Sequence, residues 1–226
     1  YREYGRLSQA RRRLERALEL GRRAGYRQIV GLVLGNLGEV AFREQAYQEA
    51  FALYTEALAI SREVKARDLE VETLRRLIEW REAKREKGIV SRALDALALA
   101  REVGLPREEG TLLGCLGLAK CKGGRQEEGR RCFTVGEEIL SQAKAPLEGA
   151  RLKVRKAMAH FFLGEWDAAD REIAEAKLRF EELGAQWDLE NVRRVTEEID
   201  RNSPLGGSSR KSLQLLLDVN QTLSQV

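Results

Sequence analysis

Residues Asn36–Ile60 read NLGEVAFREQAYQEAFALYTEALAI, and this stretch decides the fold. Ala50, Tyr54 and Ala57 stand at i, i+4 and i+7, which is one face of an α-helix. Gly38, Ala50 and Ala57 are small residues set among Leu37, Tyr47 and Tyr54. Two helices can approach closely only where their contact residues are small, so the pattern predicts a tight helical hairpin.

The same face recurs along the chain. Counterparts of Ala50 are Ala10, Ala93, Gly129 and Ala169. Four positions on, a bulky residue follows each time: Leu14, Tyr54, Leu97, Phe133 and Ile173. Three further, the residue is small again: Ala17, Ala57, Ala100, Gly136 and Ala176. Five positions before each first small residue stands a turn candidate, Gly5, Gln45, Gly88, Gly124 or Gly164. The period is about 40 residues, and a recurrence of that length marks a solenoid whose hairpins bury their apolar faces by stacking. Gly129 and Gly136 occupy both small sites of the fourth copy, at about 1 kcal/mol of helix propensity each. The third copy carries Trp80 and Arg81 where its relatives have Leu and Gly, which predicts a splayed helix pair. In the fifth, Lys153 and Lys156 fall on apolar positions, leaving Val154, Ala157, Met158 and Phe161 to form the core. Residues 185–200, with Trp187 and Val195, read as a capping helix.

The composition agrees with an all-helical protein. Of 226 residues only 3 are Pro, aromatic residues make up 6% and charged residues 34%, which disfavours sandwiches and barrels. No apolar run approaches the roughly 20 residues of a membrane span, so no membrane association is expected. The net charge of +4 comes from 40 basic and 36 acidic residues interleaved along the chain. A nucleic-acid binder would segregate its basic residues, so none is expected here. Cys115, Cys121 and Cys132 fit no zinc spacing, and three thiols without a secretory signal point to a reduced, cytoplasmic setting. The opening YREYGRLSQARRRLERALELG is already helical and lacks an initiator Met, so the chain reads as a piece of a longer one.

Leu34, Leu37, Gly38, Ala50, Tyr54 and Ala57 resemble the tetratricopeptide repeat (TPR) signature. The period of about 40, longer than the usual TPR, and ALAISREVKARD (residues 57–68) resemble the long-helix variety of kinesin light chains, polarity adaptors and bacterial regulators. The resemblance covers residues 1–200 and implies an all-α, right-handed superhelical solenoid of antiparallel helix pairs, with the first repeat truncated. It also implies that the first helix of each pair lines a concave groove. By repeat position that groove would hold Asn36, Glu39 and Arg43, then Arg75, Glu79 and Glu82, then Cys115 and Leu118, then Arg151, Arg155, Met158 and Phe162. Asn36 sits where similar repeats bond a peptide backbone, but Glu79, Cys115 and Arg155 at the equivalent sites make no asparagine ladder. Gly35 stands where chaperone-binding repeats place a clamp lysine, which speaks against carboxylate capture of that kind. Glu79 and Glu82 against Arg151 and Arg155 would suit a peptide of mixed charge.

Residues 201–210, with Asn202-Ser-Pro-Leu-Gly-Gly-Ser-Ser209, read as a flexible linker. Residues 211–226 read as an amphipathic helix in which Leu216, Val219, Leu223 and Val226 form an a/d seam able to pair two copies. LQLLLDVNQTLSQV resembles the helix leading into a GAF sensor domain, as in multidomain sigma-54-dependent transcriptional activators, and the preference for Arg over Lys suits a bacterium of high GC content. No Walker loop, GxSxG, HExxH or zinc motif is present, and the single histidine, His160, has no placed nucleophile or carboxylate, so no catalysis, cofactor or metal is expected. What remains is recognition of a protein or peptide partner within a larger bacterial signalling protein. The alternatives are a sensor for a small ligand or signalling peptide, and a self-association scaffold joined through the C-terminal helix.

Overall fold

The computed structural model describes residues 2–86 and 88–202. They form ten helices and no strands: α1 (Arg2–Ala24), α2 (Arg27–Arg43), α3 (Tyr47–Glu63), α4 (Arg67–Ala83), α5 (Ile89–Val103), α6 (Pro106–Lys122), α7 (Gln126–Gln142), α8 (Pro146–Phe162), α9 (Trp166–Glu182) and α10 (Gln186–Asn202). Successive helices pack as antiparallel pairs, and the even-numbered helices also pack on one another, α2 on α4, α4 on α6, α6 on α8 and α8 on α10. The chain is an all-α, TPR-like solenoid. Arg201 and Asn202, expected to open the linker, instead end α10, while residues 203–210 and the seam of Leu216, Val219, Leu223 and Val226 lie outside the described residues.

The turns are more regular than their residue types. A left-handed residue falls at Gly25, Gln45, Lys65 and Arg85, then at Gly104, Gly124, Lys144, Gly164 and Gly184. The interval is 20 residues throughout, except for 19 between Arg85 and Gly104. At each turn the amide of the residue after the left-handed one reaches back five residues, as in Ala46 N–H to Ala41 O (2.9 Å) and Ala145 N–H to Leu140 O (3.0 Å). This is the Schellman arrangement, and Ala46 with Ala41 supplies its apolar contact. The same residue then begins the next helix, so no N-cap side chain is used at Ala46, Ala66 or Ala145.

Two expectations are corrected. Gly5 is no turn: it lies inside α1, which is the second helix of a pair with no described first helix. The turn between α4 and α5 is centred on Arg85 (φ 55°) as well as Gly88, and α5 starts two residues late and runs for 15 residues rather than 17.

Glycines fix the closest approaches. A Cβ on Gly38 would lie 2.5 Å from the Tyr54 ring, and one on Gly117 2.9 Å from Phe133. Gly110 fits under Leu140, and Gly129 against Cys121 and the Gly117 carbonyl, so α6 and α7 meet almost backbone to backbone. With the turn at Arg85, the places of these glycines in α4 fall to Val71 and Ile78 rather than near Arg81, and they meet Ala93, Ala96, Leu97 and Ala100 of α5 through side chains instead of bare backbone. Trp80 turns instead to α3, donating its indole N–H to Tyr47 O (2.8 Å) and lying 4.7 Å from Phe51. In the last pair Ala150 and Ala157 return to the contact with Ile173, Ala176 and Phe180. Lys153 and Lys156 reach Glu172, Glu175 and Glu137 on the flanking helices α9 and α7.

Candidate functional site

The inner faces of α2, α4, α8 and α10 enclose a cavity of about 250 Å³. Its walls come from opposite ends of the array, because Phe42 and Arg43 at the end of α2 meet Trp187 at the start of α10. The Phe42 and Trp187 rings are 6.3 Å apart, and the Arg43 guanidinium lies 5.2 Å over the indole. A cationic group over an indole face gains roughly 0.5–2 kcal/mol, more as water is excluded. Arg151 of α8 holds Asp188 of α10 through two bonds of 2.7 and 3.1 Å. Helix α10 is therefore more than a cap: it closes the ring.

The floor is a charge network. Arg155, 9% exposed, donates to both oxygens of Glu82 at 3.1 Å and to Glu79 at 3.0 Å, linking α8 to α4. Helix α6 lies between them, and its inner face is low enough to be crossed because it presents Gly114 and Cys115. A Cβ on Gly114 would stand 3.5 Å from Cδ of Arg155. Arg75 adds a second pair to Glu79 from within α4. Burial alone would raise the Glu79 pKa, but Arg75 and Arg155 override it and hold the carboxyl down at about 2. Burial pushes the Cys115 thiol well above its ordinary range, so it is a poor nucleophile. Burial likewise raises Tyr54, whose hydroxyl donates to Glu39 at 3.4 Å.

Of the groove residues expected from sequence, Glu39, Arg43, Glu79, Glu82, Arg151, Arg155 and Met158 line this cavity. Leu118 and Phe162 border a neighbouring recess with Cys115 and Lys122; Leu118 is 1% exposed and packs in the core, while Phe162 is 48% exposed beneath the Lys122 ammonium. Asn36 is committed to Arg76, whose Nη2 donates to its Oδ1 at 3.0 Å, so that oxygen is not free for a peptide backbone. The expected division into an acidic and a basic patch is corrected, since Glu79 and Glu82 are neutralised by Arg155 and Arg75. His160 is also committed, with Nδ1 2.5 Å from Glu165, in a separate recess with Cys121 and Lys156.

Sequence reasoning missed Phe42, Tyr47, Arg76, Trp187, Asp188, Asn191 and Arg194, all on the cavity wall. Trp187 was legible as the one aromatic of an amphipathic helix whose aliphatic residues, Val192 and Ile199 among them, face the core. Its place opposite Phe42 depends on the curvature of the whole array, which no local pattern encodes.

Among the described residues no group of three or more His, Cys, Asp or Glu could hold a metal ion, and no helix is long and apolar enough to cross a membrane. The family model of the tetratricopeptide repeat matches residues 1–63. No curated protein matches the chain. Among solved structures, the crystal structure of BtubC (BKLC) from P. vanneervenii is similar over 92% of both chains, at 16% identity and a TM-score of 0.57. A Signal Transduction ATPase with Numerous Domains (STAND) protein with a tetratricopeptide repeat sensor, from Pyrococcus horikoshii, is similar over 86% of this chain and 31% of that one, at 13% identity and a TM-score of 0.54. At such identities the likeness is one of fold.

Proposed function

We propose that this chain is a non-catalytic recognition module that takes a segment of a partner protein or peptide into the cavity between α2, α4, α8 and α10. TPR repeats generally mediate protein–protein interaction. The observation that carries the reading for this chain is the wall built from both ends of the array, Phe42 and Arg43 against Trp187. Concave sites with an aromatic lining and a few convergent polar groups are the usual form of a binding pocket.

The Arg155 network is scaffold, so reversing its charge would disrupt the fold and is no test of binding. Trp187→Ala is the cleaner change, because Trp187 stands on the rim. Peptides selected by the full chain from a display library should bind Trp187→Ala at least tenfold more weakly, with the circular-dichroism melting curve little changed. Undiminished binding to that variant sinks the reading.

A second reading, a sensor for a small ligand or signalling peptide, draws support from the closure itself: a ring joined at Trp187 offers an enclosed pocket more than a long open groove. The STAND relative, whose TPR region is described as a sensor, points the same way. Placement ahead of a GAF domain in a bacterial sigma-54 activator, and pairing of two copies through Leu216, Val219, Leu223 and Val226, rest on residues 211–226 alone. Light scattering of the full chain, and of a chain ending at Arg201, tests the pairing: a monomer in both cases ends it.

A further inference from the structure

We infer that the cavity selects an anionic aromatic group, a ring a few bonds from a carboxylate; this rests on the recognition reading and names its ligand class. The first argument is charge accounting. Four carboxylates line the cavity, against seven cationic side chains. Every one of the four is already held by an arginine of the same wall: Glu39 by Arg43 (2.9 Å), Glu79 and Glu82 by Arg155, and Asp188 by Arg151. A cationic ligand would have to displace one of these arginines. An anion meets no such conflict at Arg43, which bonds Glu39 through Nε.

The second argument is a guanidinium with an open edge, that of Arg43, since the other arginine on that side, Arg76, is spent. Arg76 lines the cavity with 7% of its side chain exposed, and bonds Asn36 and Glu72 through Nη2 alone. Its Nε and Nη1 are buried without any hydrogen-bond partner, Nη1 lying over Gly35, where even a Cβ would be only 2.5 Å away. Both atoms are shut away from the cavity, and Glu72 balances the charge through Nη2, so Arg76 stiffens the wall without offering a ligand a bond. Arg43, meanwhile, meets Glu39 through Nε, while its plane stacks on Trp187. A guanidinium fork of this kind matches a carboxylate well.

The third argument concerns the ligand's body. Trp187, Phe42 and Tyr47 share the cavity wall with Arg43, Met158 and Val154. Planar faces beside a flexible thioether suit a flat apolar ring. About 250 Å³ holds one such group and no long side-chain array.

Calorimetry and thermal shift on the full chain test this with probes of one shape and different charge. Indole-3-acetate and phenylacetate should bind and raise the melting temperature with concentration. Phenylacetamide and phenethylamine should bind at least tenfold more weakly, and Arg43→Gln and Trp187→Leu should each weaken the acid at least tenfold. The dipeptides acetyl-Glu-Phe-amide and acetyl-Gln-Phe-amide form a second arm. Preference for the acidic dipeptide over free acids identifies a peptide source, and the reverse a small metabolite. The inference is overturned if the amide equals the acid, if Trp187→Leu binds the acid normally, or if no acidic probe in either arm binds. A neutral or basic library peptide that loses affinity on Trp187→Ala would defeat this inference and leave the recognition reading standing.

Discussion

Gly38 has no room for a methyl group, since a Cβ there would press on the Tyr54 ring from 2.5 Å and Tyr54 is 1% exposed. Gly38→Ala should therefore cost about 1–3 kcal/mol by overpacking. Gly149, in α8, has nothing within 4 Å of its would-be Cβ. There the same change should stabilise by about 0.5–1 kcal/mol through helix propensity, and urea midpoints of the two variants separate these opposite signs. Arg155→Met should cost about 3–5 kcal/mol, because it strands Glu82 and half of Glu79's compensation in a buried site. Acid unfolding carries a second signature. Glu79 titrates near 2 in the folded chain and at an ordinary 4.5 when unfolded, so its contribution is complete above 4.5 and fades as pH falls towards 2. In Arg155→Met the folded carboxyl rises back towards 4.5, so the acid-dependent loss should be smaller and end at a higher pH, read from urea midpoints between pH 6 and 2. At this scale the small contact residues Ala50, Ala57, Ala169 and Ala176 were legible, because packing demands repeat with the helix. The partners of Arg155 were not: Glu79 lies 76 residues away, and no sequence spacing announces it.

Helix α5 is the irregular element. It is short, it follows the longest turn, and its partner α4 offers Val71 and Ile78 where α2 and α6 offer glycine. Fewer close contacts mean cheaper local opening. Amide hydrogen exchange should be faster in α5 than in α7, whose contact with α6 is built on Gly110, Gly117, Gly129 and Gly136; equal protection would contradict this. The sequence predicted the splaying from Arg81, yet it misplaced the turn. Gly88 drew attention as a glycine, whereas Arg85 takes a left-handed conformation with no such advertisement, as do Gln45, Lys65 and Lys144. Helix starts were equally silent, because the Schellman bond from the preceding helix does the work that Ser, Thr, Asp or Asn would do at an N-cap.

In an open solenoid each repeat touches only its neighbours, and unfolding can proceed piecewise. Here Arg155 ties α8 to α4 across α6, and Trp187 ties α10 to α2 across the cavity. Tryptophan fluorescence and circular dichroism should therefore report one coincident urea transition. Arg155→Met should separate the two curves; coincidence retained in that variant would mean that nearest-neighbour contacts alone carry the cooperativity. The meeting of Phe42 and Arg43 with Trp187 has one more effect, and it is mechanical. The gap between them is the sum of every bend along the array, so a rotation too slight to notice at any single helix interface adds up over eight of them. The rim works as a vernier, turning imperceptible changes of curvature into the making or breaking of one aromatic contact. Whatever alters the pitch anywhere in the chain is thus read out at the same place, the mouth of the cavity.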